Sequence, residues 1–244
     1  MLSMKINLLM KKEEIDHEKM DDTKIAVVLD ILMATTSITA ALAEGAECVI
    51  PVLNASEAKN EKKKYADEEV CLAGEDGGLV IDGFLNPVPS LLCQHVSDKK
   101  VILSTTNGTI AIRGAAKAKT TYAASLLNGA AVAEDIVNYY NGETILIICS
   151  GSSNQFCVED FYGAGYFIEE LMKLTDKDQL ELTDSANSAA LFYNAFSHQT
   201  ASILKQSKVG QMLVEAGFEK DIEFTCKKNT VDLVPKLRGR RIVV

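Results

Sequence analysis

A run of six small polar residues is the feature of this chain best suited to chemistry. It reads Ser104-Thr105-Thr106-Asn107-Gly108-Thr109 and follows an apolar stretch, residues 100–104. The first N–H groups of a helix and nearby hydroxyls can donate hydrogen bonds to an anion, and glycine allows the backbone to approach closely. A helix cap alone would need only Thr106 or Asn107. The length of the run therefore favours an anion-binding loop.

A carboxylate, Asp30, ends the apolar stretch KIAVVLD and is followed by the hydroxyls of Thr35, Thr36 and Ser37. An acid at the end of a strand is well placed to bind a divalent cation, and the hydroxyls could meet a phosphate. A role for Asp30 in capping the next helix stays open. An aspartyl-phosphate nucleophile is disfavoured, because such sites carry a second aspartate two residues on, where this chain has Leu32.

Two further carboxylates, Glu159 and Asp160, follow Ser150 and Gly151 and fall in the first turn of a predicted helix. Acids in a first turn complement the positive end of the helix dipole, which would be a sufficient structural reason for both. The functional alternative is metal coordination or general-base catalysis. The pattern leaves both interpretations open.

The cysteines and histidines indicate no metal finger and no Ser/His/Asp triad. No two of the six cysteines are spaced as C-x-x-C, and the three histidines are scattered. We expect the histidines to be surface or packing residues and the cysteines to be free, small hydrophobes, as in a reducing cytoplasm. The cysteines in strand-like segments are Cys48, Cys71, Cys149 and Cys226.

The formal net charge of −9 argues against nucleic acid or an anionic membrane as a partner. An anionic ligand would therefore need local compensation by a divalent cation, helix N-termini or a few basic side chains. No stretch approaches the roughly 18 consecutive apolar residues that span a bilayer, and residues 1–5 lack the features of a signal peptide. We expect a cytoplasmic protein, and assembly into a homo-oligomer is compatible with the sequence.

Short apolar runs alternate with helical stretches along the whole chain, which predicts a single α/β domain over residues 1–244, with residues 1–23 as its N-terminal segment. Its sheet should be largely parallel or mixed, with helices on both faces. Residues 74–89 hold four glycines and two prolines and predict a long loop. The predicted strands are residues 24–30, 47–52, 69–73, 100–104, 120–123, 143–149, 222–226 and 241–244. The predicted helices are residues 34–45, 55–66, 107–118, 130–140, 158–174, 185–205 and 209–216.

In such sheets ligands bind beyond the carboxyl ends of the strands. The residues that leave those ends are therefore the functional candidates. They are Asp30 with Thr35 and Thr36, Glu75, Thr105 to Thr109, and Ser150-Gly151 with Glu159-Asp160.

Four motifs follow one another along the chain: DILMATTSI at residues 30–38, GEDGG at 74–78, STTNGT at 104–109, and Gly151 with EDF and GAG at 159–165. Taken together and in this order, they resemble the 2-phosphosulfolactate phosphatases, the magnesium-dependent hydrolases of coenzyme M biosynthesis. The resemblance extends over nearly the whole chain from about Lys24 and includes the tail residues Asp221 and Pro235.

The resemblance implies a three-layer α/β/α fold and Mg²⁺-dependent hydrolysis of a small anionic phosphate ester to (R)-3-sulfolactate and phosphate. It implies Asp30, Glu75, Glu159 and Asp160 as the catalytic acids, with Asp30, Glu75 and Asp160 as metal ligands. The implied substrate and phosphate contacts are Thr35, Thr36, Thr105, Thr106, Asn107, Gly108, Thr109, Ser150 and Gly151.

Two departures from the family pattern concern charge. Met33 and Asp76 stand where the family usually has arginine, and residues 85–89 read LNPVP where glycine-asparagine-serine-proline is usual. Charged hydrogen bonds contribute about 1.5 to 3 kcal/mol each, so two lost arginines could weaken binding of a trianionic substrate by roughly 10²- to 10⁴-fold. Either the protein hydrolyses a different or less anionic ester, or it is a non-catalytic homologue that binds a metabolite. The survival of all four acids favours retained metal chemistry.

Overall fold

The computed structural model describes residues 3–244, in which eleven strands join one mixed sheet. The strands are β1 Met4–Leu9, β2 Lys24–Leu29, β3 Cys48–Val52, β4 Val70–Asp76, β5 Leu79–Val80, β6 Lys100–Ser104, β7 Thr120–Ala124, β8 Thr144–Cys149, β9 Leu180–Leu182, β10 Lys236–Arg238 and β11 Arg241–Val243. Their order across the sheet is β5-β4-β6-β3-β11-β10-β7-β2-β8-β1-β9.

Ten α-helices occupy the same part of the chain. They are α1 Ala34–Ala43, α2 Ala55–Lys62, α3 Pro89–Leu92, α4 Gly108–Gly114, α5 Gly129–Tyr139, α6 Val158–Leu174, α7 Asp184–Phe196, α8 Thr200–Gln206, α9 Lys208–Glu215 and α10 Glu219–Thr225. None of these helices is long and apolar enough to cross a membrane.

The sheet consists of two parallel blocks joined by an antiparallel hairpin, with the short strand β5 antiparallel to β4 at one edge. One block is β4-β6-β3 and the other is β7-β2-β8-β1-β9. The hairpin β10-β11 lies between them, with Lys236 opposite Tyr122 and Ile242 opposite Val49. The last residues of the chain therefore join strands that are distant in sequence into one sheet.

The side chains of β2 alternate between two cores. Ile25, Val27 and Leu29 pack on the face covered by α5, α6 and α7, while Ala26 and Val28 pack on the face covered by α1 and α4. Burial on both faces explains the continuous apolar run. Helix α2 covers the outer face of the other block through a third core. The structure thus has the three-layer α/β/α arrangement, and the expected α/β class is confirmed.

Several predicted elements needed correction. Residues 222–226 were expected to form a strand but belong mostly to α10, whose buried Ile222 and Thr225 are three apart, as on a helix face. The predicted helix 185–205 is two helices, α7 and α8, and the predicted helix 107–118 is the shorter α4. The predicted loop 74–89 contains the end of β4 and all of β5. Strands β1, β9 and β10 were not anticipated, because each is short or has only distant partners.

The six cysteines are all free, as expected. Cys149 and Cys157 are buried, and burial raises the pKa of both thiols. They are therefore packing residues rather than thiolate nucleophiles.

Candidate active site

The loops that leave β2, β4, β6 and β8 border one cleft of about 590 Å³. Their contributions to its lining include Asp30, Glu75, Thr106, Asn107 and Ser152. These residues are separated by up to 122 positions in the sequence, and the parallel strands bring them to the same edge of the sheet. The structure therefore brings candidate residues from all four loops to one cleft.

Asp30 is buried and held by the start of α1. Its Oδ1 accepts a hydrogen bond from the N–H of Ala34 at 3.1 Å, and the Thr35 hydroxyl both accepts from its N–H and donates to its carbonyl at 3.0 Å. No described residue donates to Oδ2. A Cβ on Gly108 would lie 2.5 Å from this oxygen, so glycine is what allows α4 to begin against Asp30. One carboxylate oxygen therefore remains available to a ligand.

Asp160 uses both carboxylate oxygens to hold two strand ends together. Oδ1 accepts from the N–H of Ile31 at 2.8 Å and Oδ2 from the N–H of Gly151 at 3.0 Å. Glu159 is buried beside Ser207 and Cys157. Neither acid belongs to the cleft lining. Both are buried outside the lining, where Asp160 aligns the loops after β2 and β8.

The buried acids Asp30, Glu159 and Asp160 repel one another. Burial, followed by the charges of Glu75 and Glu159, raises the pKa of Asp30 to about 7. Burial and then the charges of Asp30 and Glu159 raise the pKa of Asp160 well above its ordinary range, and burial raises the pKa of Glu159. Such a cluster is stabilised by protons or by a bound cation.

Glu75 connects the loop after β6 to the turn between β4 and β5. Its Oε1 accepts from the N–H of Thr106 at 2.7 Å, and its Oε2 accepts from the Thr106 hydroxyl and the Gly78 N–H, both at 2.8 Å. The Thr106 hydroxyl also accepts from the Gly77 N–H at 2.8 Å. Glu75 thus fixes the β4–β5 turn, and with it one wall of the cleft.

Most threonines of the predicted phosphate loops use their hydroxyls on the backbone. Thr105 and Thr109 each accept the other's N–H at 3.1 Å, and the Thr36 hydroxyl donates to the Ile31 carbonyl at 2.9 Å. Thr35, Thr36 and Thr109 are fully buried, and the cleft lining contains none of them, nor Gly108. Their positions support the shape of the loops; direct contact with substrate stays a prediction.

Lys12 belongs to the candidate site and could not be predicted from the sequence. Its Nζ donates to Asn107 Oδ1 at 2.8 Å and lies 2.8 Å from a carboxylate oxygen of Glu13. Asn107 is therefore engaged by a lysine and does not cap α4 with its side chain. The positive charge of Lys12 counteracts the rise in the pKa of Asp30. This lysine is 95 positions from its partner, and only the pairing of β1 with β8 brings it there.

Two buried hydroxyls have no hydrogen-bond partner within the described chain. They belong to Ser37, on α1 in the cleft lining, and to Ser150, which immediately follows β8. A buried polar atom without a partner costs free energy unless a ligand or water completes it. The sequence offers Ser37, with Thr35 and Thr36, as a hydroxyl that could meet a phosphate, whereas the resemblance implies only the two threonines as contacts.

The donor chemistry fits Mg²⁺ through a small number of protein oxygens. Across residues 3–244, no three histidine, cysteine, aspartate or glutamate side chains form a ready-made metal cage. Mg²⁺ commonly takes one or two carboxylates and completes its shell with water and phosphate oxygens. Asp30 Oδ2 is free for such a role. Asp160 and Glu75 already accept hydrogen bonds with both carboxylate oxygens.

The two positions that depart from the family pattern differ in location. Met33 is half-buried and lines the cleft, whereas Asp76 is exposed and lies outside the lining. Asn86, Pro87 and Val88, from the altered LNPVP stretch, also line the cleft. A change at Met33 therefore acts directly on the ligand environment.

The fold and the site define an α/β protein with an acidic, oxygen-rich cleft at the carboxyl edge of its parallel strands. A family model described as 2-phosphosulpholactate phosphatase matches residues 9–240. The chain belongs to this family, whose name describes phosphoric monoester hydrolases, and the predicted resemblance is confirmed.

Relatives match over nearly the full length of both chains, and each carries the name probable 2-phosphosulfolactate phosphatase. One from Clostridium acetobutylicum is 38% identical, covering 98% of this chain and 100% of its own. One from Clostridium perfringens strain SM101 is 40% identical, with 98% and 96% covered. One from Carboxydothermus hydrogenoformans is 38% identical, with 99% and 97% covered.

Proposed function

We propose that this protein is a Mg²⁺-dependent phosphatase that hydrolyses a small anionic phosphate ester. The family makes 2-phosphosulfolactate the first substrate to test, with (R)-3-sulfolactate and phosphate as the products. The observation that carries the proposal is Oδ2 of Asp30, which accepts no hydrogen bond from the described residues and belongs to a cleft-lining carboxylate whose pKa is raised by burial and by the charges of neighbouring acids. A binding protein for a neutral ligand would have no need of such a cluster.

Bound Mg²⁺ would compensate the acids and stabilise negative charge on the phosphate oxygens. Asp30 would be the direct protein ligand to the ion. Asp160 keeps Asp30 in place by holding the N–H of the next residue, Ile31, and Glu75 does the same for the wall formed by the β4–β5 turn. These two acids would then act as positioning residues.

Hydroxyl and amide groups in the lining would orient the phosphate. Ser37 offers an unpartnered hydroxyl, and Asn107 offers an amide whose oxygen is fixed by Lys12. These groups donate hydrogen bonds to charge that develops in the transition state without first having to rearrange. A cytoplasmic location and homo-oligomerisation stay predictions.

The test is release of inorganic phosphate from 2-phosphosulfolactate and from a panel of other phosphate monoesters, with Mg²⁺ and with EDTA. We expect turnover that requires Mg²⁺ and is lost in Asp30→Asn but retained in Asp178→Asn, which alters an exposed acid before β9. Absence of turnover across the panel would refute the enzyme and favour the non-catalytic homologue.

A further inference from the structure

Helix α9 borders the cleft along its whole length. The residues that it contributes to the lining are neighbours or lie about one or two helical turns apart, as expected for one face of a helix. They are Lys208, Val209, Met212, Leu213, Glu215 and Ala216. Lys208, the first residue of α9, therefore belongs to the face that borders the cleft.

The backbone of Lys208 is fixed at a tight junction between α8 and α9. The hydroxyl of the preceding residue, Ser207, accepts from the Gly210 N–H at 3.0 Å and donates to a carbonyl of α8 at 2.8 Å. A Cβ on Gly210 would overlap that carbonyl oxygen, so the two helices touch here. Ser207 is buried beside Glu159, whose charge acts on Asp30. Lys208 thus follows a residue that adjoins the acidic cluster.

Lys208 is the only cation among the described residues that line the cleft. Its ammonium has no carboxylate within ion-pair distance in the described chain, whereas Lys205, three residues earlier, pairs with Glu219 at 2.7 Å and with Glu223 at 3.3 Å. A cation in the first turn of a helix opposes the helix dipole, so the charge of Lys208 does not stabilise α9. Neither ion pairing within the described chain nor helix stability therefore explains a lysine at this position.

The substrate proposed above would give this cation a partner. Besides its phosphate, 2-phosphosulfolactate carries a carboxylate and a sulfonate. Met33 and Asp76 replace the two arginines that are usual in the family, and Lys12 is already paired with Glu13. An unpaired charge in a cleft is disfavoured. Within the described lining, the counter-charge available to a second anionic group is Lys208.

We propose that Lys208 determines specificity for a second anionic group, a carboxylate or a sulfonate, on the alcohol part of the phosphate ester. The loops around Asp30 would hold the phosphate, while the Lys208 ammonium donates charged hydrogen bonds to the second group. An ammonium on a flexible stem can meet the oxygens of either group. The inference rests on the proposed phosphatase function and adds the residue that recognises the alcohol part of its substrate.

The test is binding of three phosphonates by calorimetry with Mg²⁺ present, each with a methylene group in place of the ester oxygen so that it resists hydrolysis. They are 3-phosphonopropionate, 3-phosphonopropane-1-sulfonate and n-butylphosphonate, which has no second anionic group. We expect at least one of the first two to bind at least about tenfold more tightly than n-butylphosphonate, a difference of about 1.4 kcal/mol. The probe that shows the preference identifies carboxylate or sulfonate as the group recognised. Equal affinities, a preference for n-butylphosphonate, or binding of none of the three would overturn the inference.

Variants of Lys208 assign the preference to its side chain. Lys208→Met should reduce the ratio of affinities at least about fivefold, whereas Lys208→Arg, which keeps the charge, should retain most of it. The matched control is Lys220→Met, which removes the same charge from another exposed lysine in the first turn of a helix, α10, outside the lining. An unchanged ratio in Lys208→Met, or an equal loss in Lys220→Met, would contradict the assignment.

The binding measurement separates this inference from the proposed phosphatase function. Because no turnover is needed, a preference that depends on Lys208 supports the inference even if no phosphate ester is hydrolysed. Hydrolysis of phosphate esters by a protein without such a preference would overturn the role of Lys208 alone.

Discussion

Asp30 shows how a functional residue can oppose stability. Its pKa rises from 3.8 to about 7 on folding, first through burial and then through the charges of Glu75 and Glu159. Between these values the folded protein binds more protons than the unfolded chain, so the stability of the metal-free protein falls as pH rises from about 4 to 7. The ionised acid therefore lowers the stability of the metal-free protein, which is consistent with the proposal that Asp30 binds a cation.

Asp30→Asn should therefore stabilise the metal-free protein while abolishing its activity. At pH 8 we expect the free energy of unfolding to rise by about 1 to 3 kcal/mol, and at pH 4, where Asp30 is already neutral, to change little. Urea denaturation in EDTA at both pH values measures this, with Asp178→Asn as control. The same gain at pH 4 and pH 8 would show that ionisation of Asp30 is not its cause.

Gly108 is required by its neighbours rather than by its own backbone conformation. An added Cβ would lie 2.4 Å from the Ala34 Cβ and 2.5 Å from Asp30 Oδ2. We expect Gly108→Ala to destabilise the fold by about 1 to 3 kcal/mol through overpacking and to reduce phosphatase activity by displacing Asp30. Gly114→Ala, at the other end of α4, meets only side-chain atoms at 3.2 and 3.4 Å and should be tolerated. Equal thermal stability of the two variants would contradict this account.

Met33 offers a residue-level test of substrate choice. It lines the cleft, whereas Asp76 is exposed outside the lining. Because an arginine at residue 33 would add a bidentate cation beside the ligand, Met33→Arg should raise kcat/KM for 2-phosphosulfolactate by about tenfold or more. Asp76→Arg should have a smaller effect. A phosphate-release assay of the two variants measures both effects. A larger gain in kcat/KM from Asp76→Arg than from Met33→Arg would contradict the assignment of substrate choice to residue 33.

At the scale of elements, the periodicity of apolar residues predicted those strands and helices whose bounds depend on the local sequence. The strands β2, β6 and β8 and the helices α1 and α6 lie close to the predicted bounds, because each has a clear apolar or alanine-rich pattern and a recognisable end such as Asp30 or Gly45. Short segments were less reliable: IEFTC at residues 222–226 suits a strand or a helix, and packing of Ile222 and Thr225 decides for the helix. Pairing of β10 and β11 with strands more than 100 residues away has no local signature.

The same limit applies to the site. Loops that follow apolar strands could be identified from the sequence, and with them Asp30, Glu75 and Thr106. Lys12 could not, because its contact with Asn107 depends on where β1 joins the sheet. Nor could the sequence distinguish hydroxyls that face the cleft, such as Ser37, from those of Thr35 and Thr36 that hydrogen-bond to the backbone.

An ion pair joins the residues that precede β7 and β8. It lies at the amino ends of these parallel strands, opposite the cleft. Glu143 accepts from Lys119 Nζ and from the N–H of Asn141 at 2.9 Å. Burial raises the pKa of Glu143, but these hydrogen bonds outweigh it and the pKa lies below its ordinary value. The resulting stability is present above about pH 4.5 and is lost as pH falls through the lowered pKa.

Glu143→Gln should thus destabilise the protein by about 1 kcal/mol at pH 7 and by less at pH 3.5. The control is Glu181→Gln, which alters an ion pair with Lys5 in which both side chains are 60% exposed. Thermal unfolding at the two pH values measures the difference. A loss that is equal at both pH values, or equal in the control, would contradict a role for the buried carboxylate.

For the whole molecule, we expect the acidic cluster around Asp30 to make stability depend on bound cations. A net charge of −9 attracts cations generally, whereas the cluster around Asp30 combines burial, mutual repulsion of its acids and a carboxylate oxygen without a hydrogen-bond donor among the described residues. An ion that binds the folded state alone stabilises it by about 2.7 kcal/mol at a concentration 100 times its Kd. In a protein of this size that corresponds to a rise in Tm of roughly 5 to 10 °C.

Saturating Mg²⁺ at pH 8 should therefore raise the Tm of the wild-type protein by several degrees, and that of Asp30→Asn by much less. NaCl at matched ionic strength separates general screening of surface charge from binding at the site, because screening depends on ionic strength alone. Calorimetric scans of both proteins in both salts give the four values required. An equal rise in Asp30→Asn, or an equal rise in NaCl, would place the effect of Mg²⁺ on the surface and remove Asp30 from the metal site.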